Sequence, residues 1–205
     1  MRHDSIKRAM LAAGLMSLGI VAMPLVTYAA TAADHPSGSA SAKSATAMTE
    51  TKTALSSADE KFIEKAAQGG VAEVQMGKLA AEKAQSAEVK QFGERMVKDH
   101  SAANDKLTHI ATQKGVTAAS DMDASSKREY DKLSKLSGAK FDQEYMKSMV
   151  SDHAKDVKEF QSESKSAKDP DVKTFVQSTL PTLEEHLKLA KTAQAAAKGE
   201  KTALK

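Results

Sequence analysis

The sequence contains no cysteine and no tryptophan, and its 205 residues include only five phenylalanines and three tyrosines. Without cysteine there is no disulfide framework, no thiolate chemistry and no site for lipidation, so the fold depends on packing alone. The scarcity of aromatic residues disfavours a β-sandwich, since strands are enriched in aromatic and β-branched side chains. Alanine, lysine, glutamate, glutamine, methionine and leucine dominate instead, which is typical of an all-α protein.

The sequence motifs of several functional classes are also missing. There is no glycine-rich phosphate loop, no serine nucleophile elbow and no zinc-protease motif, so nothing supports a hydrolase. Acidic and basic residues are interspersed, and the formal net charge is +3. This pattern predicts no nucleic-acid partner and no membrane-binding patch.

Residues 1–32 have the pattern of a secretory signal peptide. A basic region with Arg2 and Arg8 precedes an apolar run over residues 9–26, and small residues follow at 29–33. We therefore expect export to the periplasm and cleavage, with no membrane span left afterwards. Because the apolar run approaches the length of a membrane span, an uncleaved anchor is the alternative. Removal of this segment, which carries three bases and one acid, leaves a net charge of about +1.

Composition divides the rest of the chain into three parts. Residues 33–56 are mostly alanine, serine and threonine, too poor in apolar side chains to offset the entropy of ordering, and are expected to form a flexible linker. Residues 57–197 carry apolar side chains at helical spacing and predict one domain. Residues 198–205 are expected to be a disordered tail.

The periodic region begins with a predicted helical hairpin. The first helix is expected to start at a capping box formed by Ser57 and Glu60 and to reach about Gln85. The second helix is expected to run from Ser86 to about Lys114. Because the connection between them is very short, the two helices are predicted to be antiparallel neighbours.

A second hairpin follows a crossover over residues 116–138, which carries a short helical pattern that Gly138 is expected to end. The third long helix is predicted over residues 141–165. Asp169 as the N-cap and Pro170 in the first turn begin the fourth. The order of hairpin, crossover and hairpin predicts a ferritin-like four-helix bundle.

A weak internal repeat relates the two hairpins. The segment Val89-Lys90-Gln91-Phe92 parallels the segment Val172-Lys173-Thr174-Phe175, each just inside the second helix of its hairpin. The halves look like copies of one hairpin, so we expect them to pack in register.

Each of the four long helices carries one polar residue on its apolar stripe. In chain order these are Glu73, His100, His153 and His186. Glu73 and His100 are equidistant from the first hairpin turn, and the other two are equidistant from the second to within one residue. Such residues lie at the same height in an antiparallel hairpin. With the hairpins in register, all four meet in one layer of the core, where helical bundles build metal sites.

Three imidazoles and one carboxylate suit one transition-metal ion, Zn, Fe, Mn or Cu, better than Ca or Mg. The alternative is a buried polar network in which Glu73 pairs with imidazoles and no metal binds. An acidic residue precedes each histidine. Asp99, Asp152 and Glu185 are therefore candidates to orient an imidazole of an adjacent helix, or else they face solvent.

Other conspicuous side chains are predicted to lie outside this layer. Asp142 is about 16 Å from the level of His153 along the helix axis, and it is expected to act at the N-terminal dipole of its own helix. Tyr145 is about 12 Å from that level, and it is expected to pack in the core with its hydroxyl satisfied locally. Methionines at helical spacing are expected to fill gaps in the core.

Several short segments resemble one bacterial protein family. They are Met96-Val97-Lys98-Asp99-His100, Phe141-Asp142-Gln143-Glu144-Tyr145, Asp152-His153, and Leu180-Pro181 through His186. The chain resembles the bacterial domain-of-unknown-function family 4142 over about residues 57–191. The resemblance implies an exported, ferritin-like helical bundle of the cell envelope, and it implies no established reaction.

The sequence departs from the pattern of ferritin-like di-iron proteins, which carry Glu-x-x-His on two helices. Val97, Val150 and Leu183 occupy the positions three residues before the three histidines. The sequence therefore disfavours a carboxylate-bridged di-iron centre and favours a mononuclear site or none.

Three functional hypotheses follow from these patterns. The first is a non-enzymatic periplasmic bundle that binds one metal ion or a small ligand in the polar layer, in a role such as envelope stress protection. The second is a metal-dependent oxidase or peroxide-consuming enzyme at the same layer. The third is a structural or partner-binding module, joined to an envelope protein or to a second copy of itself, whose polar layer only fixes helix register.

Overall fold

The computed structural model describes residues 55–199, which form five α-helices and no strands. The helices are Ser57–Lys83 (α1), Ala87–Lys114 (α2), Ala124–Ser134 (α3), Gly138–Ser166 (α4) and Pro170–Ala197 (α5). The predicted signal peptide and nearly all of the predicted linker and tail lie outside the described residues. Within residues 55–199, none of the helices is long and apolar enough to cross a membrane.

The ends of α2 and α5 follow the capping residues of the sequence. Ser86 is the N-cap of α2, and Gly115, with a φ of 77°, ends the helix in the left-handed conformation that glycine favours. Asp169 is the N-cap of α5 and accepts hydrogen bonds from the backbone N–H groups two and three residues later. Pro170 occupies the first turn, as predicted, where its missing N–H is not needed.

The starts of α1 and α4 differ from the prediction. The N-cap of α1 is Ser56 rather than Ser57, and its Oγ accepts a hydrogen bond from the backbone N–H of Asp59 at 3.1 Å. The predicted capping box is therefore wrong, because Glu60 stands one position too late to complete it. Gly138 is the first residue of α4 and does not end α3, which stops before it.

The four long helices pack in two antiparallel pairs. Helix α1 packs against α2 and α4 packs against α5, while α2 also contacts α5 and α1 also contacts α4. The first pair approaches closely because glycines face each other: a Cβ atom added at Gly77 would lie 2.7 Å from the carbonyl oxygen of Gly93. Helix α3 lies in the crossover and contacts α1 and α4.

Two buried aspartates, the crossed aspartates Asp59 and Asp142, join the hairpins at opposite ends. Asp142, near the start of α4, accepts hydrogen bonds at 2.9 and 2.8 Å from two backbone N–H groups of the α1–α2 connection. Asp59, near the start of α1, accepts hydrogen bonds at 3.2 and 3.1 Å from two backbone N–H groups of the α4–α5 connection. The prediction that Asp142 serves its own helix dipole is wrong, because Asp142 lies beyond the first turn of α4 and binds backbone N–H groups of the other hairpin. The start of α4 thus lies beside the end of α1, and the two helices are antiparallel.

A polar layer divides the apolar core into two halves. Glu73, His100, His153 and His186 form this layer. Along each long helix, the polar residue lies between core residues of one half and core residues of the other. The first half, the methionine side, includes Met76, Met96, Met149, Phe141 and Tyr145. The second half, the phenylalanine side, includes Phe62, Leu107, Phe160, Phe175 and Leu183.

Candidate metal centre

The polar layer receives one side chain from each long helix. Glu73 comes from α1, His100 from α2, His153 from α4 and His186 from α5. The three imidazole ring centroids are 5.3 to 5.7 Å apart. One potential ligand atom from each histidine lies within 4.8 Å of the other two. The structure therefore brings together all four residues singled out from the sequence.

One nitrogen of each imidazole is held by an oxygen atom outside the cluster of rings. His100 Nδ1 lies 2.9 Å from Oε2 of Glu73. His153 Nδ1 lies 2.9 Å from the backbone carbonyl oxygen four residues earlier in α4. His186 Nε2 lies 2.9 Å from Oδ2 of Asp99, on the neighbouring helix α2. A proton on each of these nitrogens is donated to the oxygen, which fixes the orientation of the ring.

The other nitrogen of each imidazole has no hydrogen-bond partner in the described part of the chain. These atoms are His100 Nε2, His153 Nε2 and His186 Nδ1, and Oε1 of Glu73 also lacks a hydrogen bond although it lies 3.3 Å from His153 Nε2. All four side chains are buried, with His153 and His186 0% exposed. An unpartnered buried polar atom costs roughly 1–3 kcal/mol. Imidazoles oriented through one nitrogen and free at the other have the usual form of histidine metal ligands.

Burial and mutual charge set the protonation of the layer. Burial raises the pKa of Glu73, but the nearby His100 and His153 outweigh this effect and lower that pKa to about 2. Burial lowers the pKa of His100, but the Glu73 carboxylate more than compensates and raises it. Burial lowers the pKa of His186 to about 4, although its hydrogen bond to Asp99 opposes the change. His186 is therefore neutral near pH 7, with a lone pair on Nδ1.

The three acidic residues that precede the histidines occupy different surroundings. Asp99 contacts the imidazole of His186 and also accepts a hydrogen bond from the Arg95 side chain at 3.2 Å. Asp152 contacts side chains of its own helix, and Glu185 lies 3.0 Å from the Arg95 guanidinium. All three acidic residues stand in the same position before a histidine, so the sequence cannot distinguish them. Helix packing decides which of their carboxylates contacts an imidazole.

Tyr145 packs in the core, but its hydroxyl lacks the expected partner. Its ring stacks on Phe141 with centroids 5.6 Å apart, and its hydroxyl forms no hydrogen bond within residues 55–199. The prediction of a local partner is wrong because apolar side chains of the methionine side surround the residue. Burial, together with the charge of Glu73, raises the pKa of Tyr145.

A cavity of about 40 Å³ adjoins the polar layer on the phenylalanine side. Residues from all four long helices line it, including Glu73, His100 and Asp156, and it has room for at least one water molecule. Burial, with the negative charges of Glu73 and other nearby carboxylates, raises the pKa of Asp156 to about 9. Asp156 does not interrupt an apolar stripe and so is not among the residues that the apolar pattern indicates. Its position three residues after His153, on the same helix face, is the signal that indicates it.

Solved structures similar to this chain are helical and distant in sequence. A DUF305 fragment from Deinococcus radiodurans has 12% identity and a TM-score of 0.62, covering 70% of this chain and 99% of that chain. CopM in the Cu(II)-bound form has 17% identity and a TM-score of 0.59, covering 67% and 96%. CopM in the Ag-bound form has 18% identity and a TM-score of 0.55, covering 65% and 93%. At such identities the likeness extends to the fold alone.

Among curated proteins, none matches the sequence. A family model does match, over residues 44–193, and this range includes the polar layer, the crossed aspartates and almost all of the five helices. The match confirms the resemblance carried by the segments around His100, Asp142, His153 and His186. The chain belongs to the family described as Domain of unknown function (DUF4142).

Proposed function

We propose that this protein is an exported bundle of ferritin-like architecture that binds one transition-metal ion through His100, His153 and His186. The observation that carries the proposal is a set of three buried imidazole nitrogens that have no hydrogen-bond partner within residues 55–199. Each lies on a ring whose other nitrogen is held by an oxygen atom. A metal ion at the centre of the layer satisfies all three nitrogens at once.

Glu73 has two roles in this proposal. Its Oε2 orients His100, and its unpartnered Oε1 is available as a fourth ligand. Imidazole and carboxylate donors suit Zn, Fe, Mn and Cu. The apolar residues Val97, Val150 and Leu183, in place of the glutamates of di-iron proteins, argue against a second ion. We therefore expect one ion per chain.

Copper is the metal that the surroundings favour first. At a nitrogen-rich site the affinity for divalent ions is highest for Cu(II). Met96 and Met149 are fully buried and precede His100 and His153 by four residues, so thioethers, which suit Cu(I), adjoin the layer. CopM, a protein of similar fold, has structures in Cu(I)-bound, Cu(II)-bound and Ag-bound forms, which also supports testing copper first.

A metal-free polar network that only fixes helix register is the competing explanation. Its support is three contacts that link helices directly, from Glu73 to His100 at 2.9 Å, from Glu73 to His153 at 3.3 Å and from Asp99 to His186 at 2.9 Å. A network of this kind stabilises the fold only when its members satisfy one another. The four unpartnered atoms of the layer therefore favour a bound ion over a network that serves only itself.

We further propose a periplasmic location and a role in protection against envelope stress. The support is the signal-peptide pattern of residues 1–32, combined with a metal site that uses no cysteine. Turnover at the same site, as an oxidase or peroxide-consuming enzyme, requires an open coordination position. The cavity lined by Glu73 and His100 has room for a molecule the size of water beside the layer.

The first experiment is elemental analysis of the mature protein, purified from the envelope without chelator or affinity tag. It is followed by titration with Cu(II) and Cu(I). We expect one ion per chain in the wild type and none in His100→Gln. The matched control is His109→Gln, which changes an exposed histidine of the same helix and should retain the ion. Absence of bound metal, with no thermal shift on addition of Zn, Mn, Fe or Cu, refutes the proposal.

A further inference from the structure

The cavity beside the polar layer is lined by residues that run from the surface to two members of the proposed metal site. Its rim carries Lys65 and Glu159, whose Nζ and Oε1 atoms are 3.8 Å apart and whose side chains are 54% and 46% exposed. Its inner end is lined by Glu73 and His100, both almost fully buried. Oε1 of Glu73 and Nε2 of His100 have no hydrogen-bond partner among the described residues.

Small residues of α1 make room for this cavity opposite α4. Ala66, Gly69 and Gly70 all line it. A Cβ atom added at Gly69 would meet no other atom within 4 Å, whereas one added at Gly70 would overlap Oδ1 of Asn104. The space beside Gly69 is therefore open, and the space beside Gly70 holds an amide oxygen that also belongs to the cavity wall.

Oxygen atoms line the cavity at successive levels. Along α4, Glu159 is about 9 Å and Asp156 about 4.5 Å from the level of His153, at 1.5 Å per residue. Both carboxylates line the cavity, and Glu73 stands at its inner end. Burial and the charges of nearby residues shift the pKa of Asp156, and no hydrogen bond from a described residue contributes to that shift. Its raised pKa of about 9 leaves the carboxyl group protonated near pH 7, and a cation that binds there takes the place of the proton.

The electrostatics of the cavity favour a positive ion. Burial and the neighbouring carboxylates raise the pKa of Asp156, which means that a positive charge placed there relieves repulsion. On the opposite side of the layer, Met96 and Met149 are fully buried. An ion that approached from the methionine side would have to displace them.

We propose that this cavity is the route by which a metal cation reaches the polar layer, and that Asp156 binds the cation transiently on the way. The proposal rests on the proposed function, since a route to the layer matters only if the imidazoles bind an ion. Asp156 is a positioning residue for the incoming ion and is not one of its final ligands.

The test is the rate at which the mature chain takes Cu(II) from a coloured weak chelator, measured by stopped-flow absorbance. An arriving cation displaces the proton of Asp156, whereas the amide in Asp156→Asn has no such proton to release and binds a cation weakly. Association is therefore expected to slow several-fold in this variant, while one ion per chain still binds. The matched control is Asp131→Asn. It makes the same substitution at an exposed residue of α3, away from the cavity, and it should associate at the wild-type rate.

A second variant narrows the cavity and so tests whether the ion passes through it. Gly69→Leu places a side chain in the open space at the rim without touching a proposed ligand. We expect slower association and slower dissociation, with an unchanged dissociation constant. Gly69→Ala, which is smaller, should load at nearly the wild-type rate.

Each outcome decides between the two proposals. Wild-type loading rates in both Asp156→Asn and Gly69→Leu overturn the route while leaving the metal site intact. Complete loss of the ion in Asp156→Asn places Asp156 among the final ligands and overturns its transient role. A wild-type chain that takes up no ion overturns the proposed function and the route together.

Discussion

Replacement of Asp142 by alanine removes the acceptor of two backbone N–H groups in the α1–α2 connection. A hydrogen bond to a charged group contributes about 1.5–3 kcal/mol, and both N–H groups lose their acceptor in the variant. Part of this loss is offset because a carboxylate no longer has to be buried. We therefore expect the free energy of unfolding to fall by about 3 kcal/mol. For a domain of this size, the Tm should fall by roughly 6–12 °C.

The assay is urea-induced unfolding followed by far-ultraviolet circular dichroism. Asp142→Asn keeps one acceptor oxygen and should lose an intermediate amount of stability. Asp105→Ala, which removes an exposed carboxylate from α2, is the control and should change the free energy of unfolding by less than about 0.5 kcal/mol. Asp59→Ala should cost about as much as Asp142→Ala, and the two losses should add because the sites lie at opposite ends of the bundle.

A loss below about 1 kcal/mol in Asp142→Ala would refute the reasoning, because the two N–H groups would then have found other partners. Amide hydrogen exchange locates the effect. The amides of Gln85 and Ser86 should exchange faster in the variant, while those of Lys168 and Asp169, bound to Asp59, should keep their protection. Equally faster amide exchange at both ends of the bundle would indicate a general loss of stability and not the loss of contacts at one turn.

Two further predictions concern other contacts. Gly93→Ala should lower the free energy of unfolding by about 1–3 kcal/mol, since a Cβ atom there would lie 2.7 Å from the Gly77 carbonyl oxygen; urea unfolding measures this, and an unchanged midpoint would contradict it. Asp123 caps α3, and its hydrogen bonds to Ser125 and the next residue lower its pKa to about 2. A depressed pKa stabilises the folded state above the unfolded value near 4. That stabilisation, about 1 kcal/mol, should therefore disappear as the pH falls from about 4 to 2, so Asp123→Ala should differ from the wild type in urea unfolding only above this range.

Much of the bundle is predictable because its signals are local. Ser86 and Gly115 bracket α2, and Asp169 with Pro170 begins α5, since capping residues act within one turn and are visible in the sequence. The common height of Glu73 and its three histidine neighbours is predictable for a related reason. In a hairpin with a short connection, height follows from the number of residues on either side of the turn.

The contacts that the sequence did not indicate depend on distant segments. Asp142 stands near a helix start, where the helix dipole already offers a local role, so nothing in the sequence points to partners on another hairpin. The rotation of each helix about its axis decides that Asp99, and neither Asp152 nor Glu185, meets an imidazole. Asp156 cannot be identified from the sequence because many surface acids lie at a similar helical spacing from a core residue.

The crossed aspartates make each hairpin complementary to the other in the same way. Each hairpin gives one carboxylate to its neighbour and receives one at its own turn. This reciprocity is isologous, the relation that a twofold axis imposes on the interface of a homodimer. The repeated segments that begin at Val89 and Val172 fit the same relation. One hairpin of this kind therefore carries both halves of the contact needed to bind a copy of itself, which is the arrangement that duplication of a dimeric hairpin leaves within a single chain.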